Sequence, residues 1–144
     1  MRVIMTGGGT AGHINPALAI ASKIKKENPD AQILFVGAKG RMETQLVPAA
    51  GYKIKTVDVR GFQRRLSVKN IGRNISAAYH AVVAGAECKQ IIKSFVPDIA
   101  IGTGGYVSGP ILRKAAKMGI PVLVHESNAY PGITVKMHWI REPT

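Results

Sequence analysis

The chain is poor in cysteine and in aromatic side chains, and both shortages exclude classes of protein. Its single cysteine, Cys88, excludes an internal disulfide framework and a cysteine-rich metal cluster; we expect it to be a small residue on a helix. Aromatic residues make up 6% of the 144 residues and do not alternate with basic ones, so no nucleic-acid partner is expected. No cofactor is predicted, and with no aspartate-rich metal motif visible, a divalent cation is left open.

Long apolar runs are also missing. No stretch approaches the roughly 20 apolar residues that a transmembrane helix needs. The N-terminus passes from Met1 directly into a glycine-rich segment rather than into the apolar region of a signal peptide. We therefore expect a protein that stays in the cytoplasm or attaches to the cytoplasmic face of a membrane.

Acidic residues are few, so the chain is strongly basic. Twenty Lys and Arg stand against eight Asp and Glu, which gives a formal net charge of +12. Such a charge favours polyanionic partners, among them an anionic membrane surface or a phosphate-rich substrate. With 46% hydrophobic residues, the chain has enough apolar material for one globular domain with a core.

Short apolar runs alternate with helical patterns, which predicts parallel strands joined by crossover helices. The expected strands are residues 3–5, 33–36, 54–59, 99–101 and 122–124. The expected helices are one capped by Asn15 with Pro16 at its first position, one over residues 44–50, a broken one over 67–95 with Gly72 and Gly85 as its weak points, and one over 108–118. The fold class predicted is α/β, a doubly wound parallel sheet of the Rossmann-like type.

A glycine-rich loop stands between the first strand and the first helix, with the sequence Gly7-Gly-Gly-Thr-Ala-Gly-His13. Glycines let main-chain N–H groups approach a phosphate, and a helix start adds free N–H groups and the positive end of its dipole. A second loop, Gly102-Thr-Gly-Gly-Tyr106, follows the fourth strand, and His125-Glu-Ser-Asn128 follows the fifth. Because parallel strands end at one edge of the sheet, we expect all three segments to face one ligand.

A dinucleotide is an alternative ligand, because Gly7, Gly9 and Gly12 fit the G-x-G-x-x-G pattern. The second strand has no acidic residue at its end for a ribose hydroxyl, but Lys39 and Arg41 would suit a 2′-phosphate. An NADP-binding oxidoreductase domain therefore stays open, as does a non-catalytic module that binds membranes or lipid phosphates. In a dinucleotide site, His13 would have no function, and neither would the second glycine loop.

Three motifs together resemble a known family. They are Gly8-Gly-Thr-Ala-Gly-His13, Gly104-Gly-Tyr-Val-Ser-Gly-Pro110, and His125-Glu-Ser-Asn128 with Pro131-Gly132. They look like the N-terminal domain of the MurG family, peptidoglycan enzymes that transfer N-acetylglucosamine from UDP-N-acetylglucosamine (UDP-GlcNAc) to lipid I, the undecaprenyl-diphospho-MurNAc-pentapeptide, and form lipid II. The resemblance implies the N-terminal half of a GT-B inverting hexosyltransferase whose C-terminal donor domain is absent from this chain. Ala11 stands where many members have glycine.

The resemblance also implies roles for individual residues. We expect His13 to be the catalytic base, while a role limited to phosphate binding or helix capping stays open. His125 and Glu126 are the rival or supporting pair. The acceptor pyrophosphate is expected at Gly8, Gly9, Gly104, Gly105 and Tyr106, and the donor nucleotide with its phosphates at Thr10, Ala11, Gly12 and Asn128. A core role for Tyr106 is the alternative.

Residues 60–75 interleave basic and large apolar side chains. On a membrane the apolar groups would insert while each basic residue contributes about 1 kcal/mol against anionic headgroups. The expected membrane patch consists of Phe62, Arg64, Arg65, Leu66, Lys69, Ile71, Arg73 and Ile75. It predicts a peripheral enzyme on the cytoplasmic face of the bacterial plasma membrane; an amphipathic helix packed on the sheet is the alternative.

The last residues follow neither a helical nor a strand period. We expect residues 1–137 to form the acceptor-binding domain and residues 138–144 to be an atypical tail, as if a longer protein had been cut.

Overall fold

A computed structural model of the protein describes the backbone of residues 1–59 and 71–126, and the side chains of residues 1–59 and 82–126. Within these ranges the elements follow in the order β1 (Arg2–Thr6), α1 (Ala11–Glu27), β2 (Gln32–Ala38), α2 (Glu43–Ala49), β3 (Lys53–Val57), α3 (Ile71–Phe95), β4 (Ile99–Gly102), α4 (Ser108–Lys117) and β5 (Val122–Val124). The predicted alternation of strands and helices is confirmed. The side chains of the expected membrane patch, Asn128 and the 138–144 tail lie outside the described residues.

The five strands form one parallel sheet in the order β3-β2-β1-β4-β5. Strand β1 is central: Ile4 pairs with Leu34 of β2 on one side and with Ala100 of β4 on the other. The chain builds outward from β1 to β3, then returns to the other side of β1 and builds outward again. This is the strand order of the Rossmann fold, whose ligands bind where the direction of building reverses. The predicted fold class is confirmed.

Helices cover both faces of the sheet, which explains why its strands are apolar on both sides. On one face, Val3, Met5 and Phe35 pack with residues of α1 and with Val47 of α2. On the other face, Ile4 and its neighbours pack against α3 and α4. The α3 and α4 residues that fill this second layer include Cys88, Ile91, Ile92, Ile111, Leu112 and Ala115.

Cys88 is fully buried in that second layer, as expected of a small residue on a helix. Burial, and secondarily the charge of Glu87, raises the pKa of its thiol to about 11. The thiolate form, on which cysteine nucleophilicity depends, is therefore disfavoured in the folded protein.

The first helix begins earlier than the sequence predicted. Thr10 is its N-cap residue, and Pro16 lies inside the helix, so the prediction that Asn15 caps a helix opened by Pro16 is wrong. The first turn forms because the N–H groups of His13 and Ile14 both donate to the Thr10 carbonyl. Pro16 is the sixth residue of α1 and has no N–H to donate to the Gly12 carbonyl, so one intrahelical hydrogen bond is missing there.

Helix α3 runs without a break through Gly72 and Gly85, contrary to the prediction of a broken stretch. Gly85 has no atom within 4 Å of the position of a Cβ, while Ala84, Cys88 and Ile92 are buried. Packing along one side of the helix outweighs the free-energy cost of a glycine inside a helix, which is about 1 kcal/mol relative to alanine. Within the described residues, no helix is both long and apolar enough to cross a bilayer.

Candidate functional site

The two glycine loops meet at the edge of the sheet where β1 and β4 end side by side. Thr6 pairs with Gly102 as the last residue of each strand. Beyond this pair, the Thr103 N–H donates to the Thr6 carbonyl at 2.9 Å and the Gly8 N–H donates to the Gly104 carbonyl at 3.3 Å. The structure thus confirms that both loops lie at one edge, as the sequence predicted.

Part of the contact between the loops is made by backbone, and side chains on two of the glycines would prevent it. Gly105 has a φ of +87°, and a Cβ on it would overlap the Gly8 carbonyl. Gly104 has a φ of +113°, and its Cβ would lie 2.5 Å from Nδ1 of His13. The hydroxyl of Ser108 in α4 donates to the Gly104 carbonyl at 2.6 Å, which holds the second loop from behind.

His13 lies in the first turn of α1, half-buried between the two loops. Its Nδ1 is 3.1 Å from the Thr103 carbonyl oxygen. A carbonyl only accepts hydrogen bonds, so we infer that Nδ1 carries the proton and that Nε2 has the lone pair in the neutral ring. The arrangement therefore presents a nitrogen base with a defined tautomer at the junction of the loops.

The donors of the first loop differ from those that the sequence predicted. We expected Gly8 and Gly9 to offer N–H groups to a phosphate, but the Gly8 N–H donates to Gly104 and the Gly9 N–H donates to Glu43. The N–H groups of Ala11 and Gly12 belong to the first turn of α1, where no intrahelical acceptor exists. Both residues are exposed, so their N–H groups could donate to an anion at the helix start.

Sequence reasoning missed Glu43. This side chain is 1% exposed, and its carboxylate bridges the first glycine loop and the end of β2. Its Oε2 accepts from the Gly9 N–H at 2.9 Å and its Oε1 accepts from the Ala38 N–H at 2.8 Å. The only signal in the sequence was an acidic residue in the first turn of a helix, which is common for dipole reasons alone.

The remaining predicted site residues lie around this centre. The backbone N–H of His125 donates to the Gly102 carbonyl at 2.8 Å, which brings the segment after β5 to the same edge. Tyr106 is 55% exposed, so it is not a core aromatic. Lys39 and Arg41 are exposed beyond the end of β2. Within residues 1–59 and 82–126, no three metal-ligating side chains come together.

Comparison with known families shows which family the chain belongs to. Residues 3–141 match the N-terminal domain of glycosyltransferase family 28. The chain belongs to this family. The domain boundary expected at residue 137 stays a prediction. The family match favours the glycosyltransferase interpretation over the NADP-binding alternative.

Two curated relatives bear the same name, UDP-N-acetylglucosamine–N-acetylmuramyl-(pentapeptide) pyrophosphoryl-undecaprenol N-acetylglucosamine transferase. The family 28 domain is 52% identical to the one from Phocaeicola vulgatus over 137 residues and 52% identical to the one from Acetivibrio thermocellus over 138 residues. These alignments include 95% of the chain but 35% and 36% of the relatives. The chain therefore spans about a third of the length of the curated relatives that it matches.

Solved structures agree with this assignment. The crystal structure of MurG from Acinetobacter baumannii superimposes with a TM-score of 0.79 at 30% identity, covering 94% of this chain and 38% of that one. The calicheamicin glycosyltransferase CalG4 shares the fold, with a TM-score of 0.61 at 15% identity, over 96% of this chain and 36% of its own. The predicted resemblance to the N-terminal half of a MurG-type GT-B glycosyltransferase is confirmed.

Proposed function

We propose that this family 28 domain is the acceptor-binding half of the enzyme that transfers N-acetylglucosamine from UDP-GlcNAc to lipid I. The observation that carries the proposal is the position of His13, a base of defined tautomer between two glycine loops. The names of the relatives, which specify a pyrophosphoryl-undecaprenol acceptor, support the choice of substrate. The alignments cover about a third of the relatives' length, so the role proposed for these residues is binding of the acceptor.

In the proposed reaction, Nε2 of His13 accepts the proton of the 4-hydroxyl of the acceptor's N-acetylmuramic acid. The oxygen attacks C1 of N-acetylglucosamine while the bond from C1 to the UDP oxygen breaks, and UDP leaves with the electron pair. Attack opposite the leaving group inverts the configuration at C1. General-base catalysis of this kind contributes about 10²–10⁴ to the rate.

Both substrates carry a pyrophosphate, and the helix start suits such an anion. From one side, the anion would be bound by the N–H groups of Ala11 and Gly12, the Thr10 hydroxyl and the positive end of the α1 dipole. Gly104, Gly105 and Tyr106 would border the acceptor pyrophosphate from the other loop, and Asn128 would contact the donor. The excess of basic residues favours the same ligands.

A lipid-linked acceptor requires access to a membrane surface. We place the protein at the cytoplasmic face of the bacterial plasma membrane, held by the basic and apolar residues of the 60–75 segment. A charge of +12 supports attraction to anionic lipids. The proposed reaction also needs a donor domain that holds UDP-GlcNAc.

The test is a chimera in which residues 1–137 of this chain replace the matching part of the Acetivibrio thermocellus relative. We expect the chimera to transfer labelled N-acetylglucosamine to lipid I. The variant His13→Ala is expected to lower kcat by about 10²–10⁴. Lys26→Ala, an exposed change near the other end of α1, is the matched control and leaves kcat unchanged.

A folded but inactive wild-type chimera would contradict the proposed function. Flotation of the chain with anionic vesicles then identifies the alternative function. Binding that increases with lipid I in the vesicles supports recognition of the acceptor. Equal binding with and without lipid I favours a non-catalytic membrane-binding module.

A further inference from the structure

Glu43 is a buried acid held by backbone groups rather than by a cation. Its side chain is among the largest fully buried ones of the described residues. The one salt bridge within residues 1–59 and 82–126 joins Lys23 and Glu27 on the surface. Burying a carboxylate is costly unless both of its oxygens are hydrogen-bonded, and here Gly9 and Ala38 supply one N–H group to each oxygen.

Two glycines leave the space that this side chain fills. A Cβ on Gly37 in β2 would lie 2.5 Å from Cγ of Glu43 and 3.0 Å from Cδ1 of Ile54. A Cβ on Gly8 would overlap the Glu43 carboxylate. Both positions must therefore be glycine to make room for the Glu43 side chain. At Gly8 this requirement is separate from any approach of a ligand to the backbone.

The bond from Gly9 determines which way the first loop faces. Gly9 has a φ of +84°, and its N–H points to Glu43 inside the protein. Its neighbour Gly8 is tied to the second loop through Gly104. The loop is therefore fastened at two consecutive residues before α1 begins, and the N–H groups of the helix start have no intrahelical acceptor.

We propose that Glu43 is the positioning residue of the first glycine loop. Its carboxylate accepts the hydrogen bond of the Gly9 N–H, which in a phosphate-binding loop would otherwise donate to the ligand. The anion is then bound by the N–H groups of Ala11 and Gly12. A carboxylate is required because both oxygens must accept. A glutamine would turn its NH₂ group toward one of two N–H donors. That the anion is a diphosphate rests on the proposed function; the restraint on the loop does not.

The restraint is tested by amide hydrogen exchange, measured by mass spectrometry on the 144-residue chain. Glu43→Gln removes one acceptor, and Gly37→Ala displaces the same side chain without changing its charge. In both variants we expect residues 7–13 to exchange about tenfold faster, as after loss of one charge-assisted hydrogen bond. Glu27→Gln on the surface and Gly85→Ala, where a Cβ meets open space, are the matched controls and leave this exchange unchanged.

A second readout is the split between KM and kcat in the chimera. Loss of the Gly9 restraint is expected to raise the KM for lipid I about tenfold with little change in kcat, because His13 keeps its bond to Thr103. A merely structural role would lower the folded fraction without changing the KM of the molecules that remain folded.

Two results would overturn the proposal. One is unchanged exchange in residues 7–13 in both variants, and the other is faster exchange spread evenly over the whole chain. If Glu43→Gln does not fold, Glu43→Asp, which keeps the charge but withdraws it by one methylene, goes through the same measurement beside Gly37→Ala. An inactive wild-type chimera would count against the proposed function alone, because the exchange experiment does not depend on transfer.

Discussion

His13 and Thr103 hydrogen-bond to each other twice. Nδ1 of His13 lies 3.1 Å from the Thr103 carbonyl oxygen, and the Thr103 hydroxyl donates to the His13 carbonyl at 2.5 Å. The two residues are 90 positions apart in the chain, so this pair joins the start of α1 to the end of β4. It both orients the imidazole and holds the two loops next to each other.

The Thr103 hydroxyl is expected to contribute to the free energy of unfolding more than to the reaction rate. Thr103→Val keeps the shape of this buried side chain and removes its bond to His13, which should lower the free energy of unfolding by about 1 kcal/mol. Urea unfolding measures the change. Thr44→Val, which removes an exposed hydroxyl bond to Arg41, is the control and should cost less than about 0.5 kcal/mol. Equal stability of the Thr103 variant and the wild type would contradict the prediction.

An asparagine at position 13 separates orientation from proton transfer. Its amide N–H can replace Nδ1 as donor to the Thr103 carbonyl, but it has no counterpart of Nε2. We expect His13→Asn to keep the stability of the wild type while lowering kcat of the chimera by about 10²–10⁴. A rate within a few-fold of the wild type would show that His13 is not the base.

Two glycines of the loops are expected to respond to alanine in opposite ways. Gly105→Ala places a side chain at a φ of +87° and against the Gly8 carbonyl, which should cost more than about 2 kcal/mol. Gly12 lies in α1, and the nearest atom to its Cβ position is the Thr10 hydroxyl at 3.7 Å. Gly12→Ala should therefore stabilise the chain by up to about 1 kcal/mol.

The gain in stability at Gly12 should come with a loss of binding. Its new methyl group would stand beside the helix-start N–H groups, so we expect a higher KM for lipid I in the chimera. Unfolding and KM are measured on the same preparations. A lower KM of the Gly12→Ala chimera would contradict the placing of Gly12 at the anion site. A Gly105→Ala variant as stable as the wild type would contradict the close contact of Gly105 with the Gly8 carbonyl.

Cys88 predicts a change of stability at high pH. Burial raises the pKa of its thiol from an ordinary 9.0 to about 11 in the folded protein. Between these values the unfolded chain loses the proton first, so the free energy of unfolding falls as pH rises from 9 to 11, by about 2–3 kcal/mol in total. The contribution is fully present below pH 9 and is lost above the folded pKa.

The measurement is urea unfolding at several pH values for the wild type and Cys88→Ala. Lysine and tyrosine titrate in both proteins, so the difference between them isolates the thiol. We expect the Cys88→Ala curve to decline less steeply over this range. Parallel curves would mean that the thiol has the same pKa in the folded and unfolded states.

Local pattern was enough to predict most of the fold. Apolar runs such as residues 33–36 and the start signal at Ser108 depend on side chains close together in sequence, and the structure has a strand or a helix at each. The start of α1 was predicted wrongly because Pro16 is a strong local signal. Contacts of the preceding loop with Glu43 and Gly104 fasten the chain there and let the helix begin at Ala11.

By itself, the sequence determined the alternation of strands and helices, both glycine loops and the placing of His13 after the first loop. Each follows from composition and spacing along a short stretch. Only the tertiary structure decided which N–H groups of the first loop are bonded within the protein, because Gly8 and Gly9 donate to Gly104 and Glu43, which lie far away in the chain. It also decided that Glu43 is buried and that Thr103 orients His13, since burial and long-range hydrogen bonds exist only once β1, β2 and β4 lie side by side.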